Sequence, residues 1–173
     1  NAGSVTLNFN GTWLDKLVTD TGIESAGSYD CAGLYGNVCL APNPTWRHQA
    51  RLSFDMPSGL GVSIRWRHFG KVTLDALEDN PNLRNTGATG PAPGGVARPG
   101  LAGFDAQNYF DLAFTLKAGD HYNFRLGANN VFDKEPPVTG SQACPAGPCN
   151  GNTFAQVYDA LGRYIYAGFT LDF

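Results

Sequence analysis

The residues here with the most committed chemistry are four cysteines. They fall as two close pairs, Cys31 with Cys39 and Cys144 with Cys149, each inside a polar stretch rich in Gly, Pro and Asn. Thiols so placed either oxidise locally or ligate zinc. Neither pair has Cys-x-x-Cys spacing, and His48, His68 and His121 lie elsewhere, so the pattern favours two local disulfides in an oxidising compartment over a metal site. A second constellation is basic: Arg47, Arg51, Arg65 and Arg67 flank a turn at Pro57-Ser58-Gly59. A three-residue hairpin centred on Ser58 would set Arg51 opposite Arg65, Gln49 opposite Arg67 and His48 opposite His68. Arginines facing each other across a strand pair repel unless an anion lies between them. The four are therefore expected to form a basic patch that holds acidic groups or an anionic solute, with plain wetting of a polar wall as the alternative.

Other candidates read more plainly. His48 and His68, beside Trp46 and Trp66, fit an aromatic belt at a membrane interface better than a metal pair. Asp75, Glu78 and Asp79 lack the regular ladder of oxygen ligands that calcium takes, and are expected to be solvated loop carboxylates. Asp111 is expected to pair with Arg125. There is no Gly-x-Ser-x-Gly elbow, Walker-type loop or dinucleotide glycine motif, so neither catalysis nor a cofactor is expected.

The elements that must carry these residues come from alternation. The chain has 173 residues, 42% hydrophobic, 12% aromatic and 16% charged, with 22 Gly and 11 Pro, which is one domain's worth of foldable chain. Its net charge of -3 gives no reason to expect a nucleic-acid partner. No run approaches the roughly 18 to 20 apolar residues of a membrane-spanning helix. Asn1 follows neither an initiator Met nor a leader, so a mature, trimmed or excised segment is expected. Period-2 patterning marks six strands, over residues 5–13, 46–56, 60–68, 109–117, 122–129 and 164–173, with no amphipathic helix between them. The protein is therefore expected to be all-β and antiparallel.

Segments of this length suit a tilted strand crossing a bilayer better than a sandwich strand, which averages about five or six residues. The connections alternate too. Long ones (15–45, 76–106, 133–162) are separated by tight turns at 57–59 and 118–120, as in an outer-membrane barrel with long extracellular loops and short periplasmic turns. Arg47, Arg51, Asp55, Arg65, Arg67, Asp111, Lys117, Arg125 and Asp172 all take the phase opposite to the large apolar residues. A transmembrane β-barrel wall of about six consecutive strands is thus expected. Six are too few to close a known barrel, which starts at about eight, and both outer edges are left raw.

At Asn129-Asn130-Val131-Phe132-Asp133-Lys134-Glu135-Pro136-Pro137, and at Tyr158-Asp159-Ala160-Leu161-Gly162-Arg163 leading to Phe173, the sequence resembles the carboxy-terminal end of a TonB-dependent outer-membrane receptor and transporter. In that family an Asn-Leu-Phe-Asp-Lys-like motif ends the penultimate strand, and a Tyr-Asp-x-x-Gly-Arg-like motif opens the last, which finishes in an aromatic residue. Val131 stands where Leu is commoner. The Pro-Asn-Pro-x-Trp-Arg-His run at 42–48 adds a weaker likeness.

The resemblance implies a barrel of roughly 22 strands around a plug, importing a scarce nutrient such as a metal chelate, oligosaccharide or peptide. Residues 1–173 would be the carboxy-terminal segment of the barrel, with plug and TonB box outside these residues. Implied partners are the remainder of the barrel and plug, an inner-membrane energy-coupling protein reached through the plug, barrel-assembly machinery, outer-membrane lipid and a small-molecule substrate. The terminal pattern of Phe169, Leu171 and Phe173 resembles an assembly signal, and the arginine patch would face plug carboxylates. From loop position, substrate contacts are expected at Tyr29, Asp30, Tyr35 and Asn37, and at Gln142 and Asn150, on loops stiffened by the disulfides. Two other readings stand beside this one: a secreted, disulfide-stapled β-sandwich binding module, and a passive porin.

Overall fold

The computed structural model describes residues 2–20, 22, 27–84, 102–119 and 121–172. In chain order its strands are β1 (Ser4–Trp13), β2 (Val18–Asp20), β3 (Ser28–Asp30), β4 (Leu34–Tyr35), β5 (Trp46–Asp55), β6 (Leu60–Phe69), β7 (Val72–Leu74), β8 (Gly103–Phe104), β9 (Gln107–Ala118), β10 (Tyr122–Asn129) and β11 (Tyr164–Leu171). Among the described residues helix is confined to one turn of α-helix, α1 (Pro81–Arg84), and two 3₁₀ turns, Asp75–Leu77 and Ser141–Ala143. Among the described residues no helix is long and apolar enough to cross a membrane, which says nothing of strands. The chain is all-β, and its main sheet is a six-stranded antiparallel meander, β1-β5-β6-β9-β10-β11.

These are the six strands that alternation marks. The first tight turn closes through Met56 N donating to the Leu60 carbonyl at 2.8 Å and Gly59 N to the Met56 carbonyl at 3.1 Å. Gly59 has φ 84°, and a Cβ there would meet the Lys117 carbonyl of the neighbouring turn, so only glycine fits. This turn fixes the expected register, with Arg51 opposite Arg65 and His48 opposite His68. Strand β9 starts two residues earlier than the pattern suggests, because Gln107 and Asn108 find partners in Phe69 and His68.

The alternation gives the sheet two unlike faces. On one lie Leu7, Leu52, Ile64, Phe124, Leu126 and Phe169, each 45% or more exposed. Among the described residues no second layer covers this face, and it is not the inner surface of a sandwich. The buried core lies elsewhere, in the long connections. Tyr35, Val72, Leu74, Phe104, Phe154 and Tyr158 pack with Tyr109 of β9, and a smaller cluster joins Cys31, Leu34, Cys39 and Leu83. Strands β4, β7 and β8 form a short sheet inside this cap, and β2 pairs with β3. The cap leans over the polar face: Phe69 and Tyr109, both in the arginine phase, pack on each other and Phe69 packs on Tyr158.

Both cysteine pairs are disulfides, Cys31–Cys39 and Cys144–Cys149. Asp75 departs from its expected solvated state. It is 1% exposed, and its carboxylate accepts the Val38 and Cys39 amides at 2.8 and 3.0 Å, in the space a Cβ on Gly36 would fill. The first and second long connections are thus locked by a buried carboxylate that takes two otherwise unpaired amides. The bridges span 8 and 5 residues, so each constrains the unfolded loop by about 2 kcal/mol on chain entropy alone. Reduction, or Cys31→Ser with Cys39→Ser, should speed protease cleavage within residues 27–45 at least tenfold while the amides of the six-stranded sheet keep their hydrogen-exchange protection.

Candidate functional site

The polar face beneath the cap is organised by Asp111. In register it stands directly opposite Arg65. Its Oδ2 accepts Arg65 Nε at 2.7 Å and Arg67 Nε at 2.9 Å, and its Oδ1 accepts an Arg67 terminal nitrogen at 2.9 Å and the Asn130 amide at 2.8 Å. Arg67 turns its second edge to Asp159, with bonds of 2.8 and 2.5 Å, and its guanidinium lies 5.2 Å from the centre of the Tyr109 ring. One arginine therefore bridges a sheet carboxylate and a cap carboxylate, and both pairings are forked, the strongest geometry open to these groups. The expected Asp111–Arg125 pair does not form. Arg125 faces Thr115 and Gly168 in register, further toward the tight turns, and its guanidinium lies over Tyr166 at 5.4 Å.

The two motifs that carry the family resemblance meet at this node. Asn130, at φ 50°, closes its own turn by donating to the Lys134 carbonyl and accepting the Lys134 amide, both at 2.9 Å. Asp133, at φ 54°, accepts the Arg163 amide at 2.8 Å and lies 3.7 Å from the Arg163 guanidinium. Tyr158 is buried in the cap core, and Asp159 next to it reaches Arg67. Sequence reasoning had these residues only as letters of a motif. Their conformational demands, an Asn and an Asp at positive φ beside Gly162 at φ 70°, were the available signal.

The four arginines of the expected patch divide. Arg65 and Arg67 are engaged by carboxylates, whereas Arg47 and Arg51 are exposed and form no ion pair among the described residues. His48 and His68 lie on the opposite, apolar face as a stacked pair 4.9 Å apart, near the cap. Trp46 Nε1 donates to His48 Nδ1 at 2.9 Å, and Trp66 Nε1 donates to the Asn108 side-chain oxygen, which also bonds His68 Nδ1. This is a band of rings in which both indole N–H groups are paired and His48 Nε2 is buried without a hydrogen-bond partner. No group of three or more metal-ligating side chains occurs among the described residues.

The loop residues singled out for substrate contact have varied settings. Tyr35 is fully buried, stacked on Phe104 at 4.3 Å and edge-on to Phe154 at 5.7 Å, so the first, second and last connections meet around it. The Asp30 carboxylate accepts the amides of Leu17 and Ala32 at 2.8 and 2.9 Å, and those bonds hold its pKa below the ordinary value. Tyr29 packs against the Leu83 cluster, Asn37 is half-buried in the turn closed by Gly36 and Leu40, Gln142 lies in the 3₁₀ turn Ser141–Ala143, and Asn150 is exposed on a turn closed with Thr153. Of the terminal residues, Phe169 and Leu171 are exposed on the apolar face, and Phe173 lies outside the described residues. No family model, curated protein or solved structure matches this chain.

What the arrangement can do is hold charge and tether a cap. Replacing Arg67 by Gln and Asp159 by Asn, singly and together, should give a coupling energy of about 1–3 kcal/mol in a double-mutant cycle of unfolding, in the range for residues in direct contact. The cap also has a basic limit. Burial, the leading cause, raises the pKa of Tyr158 and of Tyr35 above the ordinary tyrosine value. A folded-state pKa above the unfolded one means stability that is intact below about pH 10 and lost as pH rises further. Cap melting followed by near-ultraviolet absorbance should therefore fall steeply above about pH 10, and Tyr158→Phe should blunt the fall.

Proposed function

We propose that this chain is a stretch of the wall of an outer-membrane β-barrel, of the TonB-dependent importer type, in a Gram-negative bacterium. Its apolar face would meet lipid, its polar face would line the lumen, and its cap would face the cell exterior. The observation that carries this reading is the bare apolar face running the full length of six strands, while every strand charge lies on the other side. Strands β1, β5 and β6 have ten residues each. At about 3.3 Å per residue and a tilt near 40°, ten residues rise about 25 Å, the height of a barrel's apolar band. A soluble sandwich would have to leave that surface in water, far beyond the few hundred Å² that soluble proteins expose. The outer edges of β1 and β11 have no strand partner among the described residues, and further strands of the same wall would satisfy them.

The importer type, rather than a passive porin, is supported by the two end motifs, whose residues form one interlocked node, and by the cap packed over the polar face. In this reading the chain takes no part in catalysis. It supplies wall, exterior loops and the last strand, and works with the rest of the barrel, a plug, an energy-coupling partner and a small nutrient.

Adjacent residues of β1 give the test. In the complete protein folded into bilayers, Leu7→Arg should cost about 2–4 kcal/mol, the penalty for a cation facing lipid near the midplane, and Thr6→Arg, on the wet face, less than about 1 kcal/mol. Equal costs, or a monomer that stays dispersed in buffer without detergent, would overturn the proposal.

A further inference from the structure

Two adjoining recesses on the polar face, of about 220 and 480 Å³, share Arg51, Ser63, Ala113 and Arg125. The smaller is also lined by Arg65, Asp111 and Tyr166. Small side chains keep the floor low, and Tyr166 can lie across it because Gly127 has no side chain: a Cβ there would come within 2.4 Å of the ring. Arg51 stands directly opposite Arg65, and Arg125 enters from the other side over the Tyr166 ring. Three guanidinium groups, of Arg51, Arg65 and Arg125, line the recesses, and Arg67 adjoins them through its shared partner Asp111. Asp111 is occupied by Arg65 and Arg67, and Asp159 by Arg67. Asp55 lines only the turn-side end of the larger recess.

Facing arginines repel when nothing lies between them. Here Asp111 approaches from the β9 side and is taken up by Arg65 and Arg67, which leaves Arg51 unanswered. We propose that the recess between Arg51, Arg65 and Arg125 is an oxyanion site, taking a carboxylate or phosphate group through the forked donors of Arg51 and Arg125. The site deepens the transport reading and rests on it for this face being the lumen. The oxyanion is either a side-chain carboxylate of protein seated in the lumen or a group on a free solute; the chemistry of recognition is the same. It differs from a general basic wall because Arg47 lies outside the recess and Arg67 is already satisfied.

The test uses the complete barrel in neutral detergent, with Arg51→Gln, Arg125→Gln and, as a control, Arg47→Gln. Arg51→Lys keeps the charge and loses the fork. Inorganic phosphate and succinate are titrated calorimetrically, and thermal unfolding is followed at low and at 0.5 M salt. A solute site predicts saturable binding, weakened tenfold or more by Arg51→Gln or Arg125→Gln, several-fold by Arg51→Lys and not by Arg47→Gln. A site filled by a protein carboxylate predicts no binding of either probe. In that case Arg51→Gln and Arg125→Gln lower the low-salt melting midpoint by several degrees, high salt erases the difference, and Arg47→Gln has no effect. Neither pattern, or equal effects at all three arginines, overturns the proposal. Partition into detergent separately reads the membrane assignment, so the two can fail independently.

Discussion

A carboxylate taken out of water on a strand face is costly unless its charge is met, and Asp111 is 5% exposed. It is met by two guanidinium groups and a backbone amide. This arrangement sets where the cap sits. Arg67 cannot turn both edges to carboxylates unless the last long connection folds back over the polar face and brings Asp159 down to it. The same fold brings Tyr158 into the core beside Phe69 and Phe104. Removing one member of such a group leaves a buried charge uncompensated, at about 3–5 kcal/mol by analogy with other buried pairs. The apolar cap and the polar face of the sheet are therefore held to each other by charge at their boundary.

The division of apolar residues follows from this. A sheet normally buries one face against a second layer. Here the aromatic residues of the connections supply most of the core, joined from the sheet by Phe69 and Tyr109 of its polar face, so the apolar face is not needed to cover it. The sheet's large apolar side chains remain on the other side, where they touch mainly one another across strands, as Phe124 does with Phe169 at 5.0 Å, with Phe132 of the last connection edge-on to Phe110. A one-residue slip in register would exchange the two faces and bring Arg51 and Asp111 among the apolar residues. Gly59 in the first tight turn, pressed against the neighbouring turn, is one place where such a slip is blocked.

The sheet was legible because its signal is local. Alternation is a property of each segment alone, so the six strands, their phase and the register about Ser58 could be read residue by residue. The disulfides were legible for the same reason, since partners 8 and 5 residues apart have few alternatives. The cap was not. Its contacts join residues far apart in sequence, such as Arg67 with Asp159, Asp75 with the Val38 and Cys39 amides, and Tyr35 with Phe154. Nothing in the composition of a loop announces which carboxylate will be buried. The misplaced Asp111 partner shows the same limit. Arg125 shares its face but stands opposite Thr115, four residues along β9 from Asp111, whereas Arg65 is the direct cross-strand neighbour.

The charges of the polar face are unevenly paired. Asp111 answers Arg65 and Arg67. Arg51 shares the cross-strand row of Arg65 and Asp111, and Arg125 stands opposite Thr115, nearer the tight turns; neither has a carboxylate partner among the described residues, and the same holds for Arg47 at the cap end. Two guanidinium groups in one row compete for one carboxylate, and the strand that pairs directly with β9 wins it. Which arginines are left with donors to spare therefore follows from which of them Asp111 takes, and so from the register of β6 against β9.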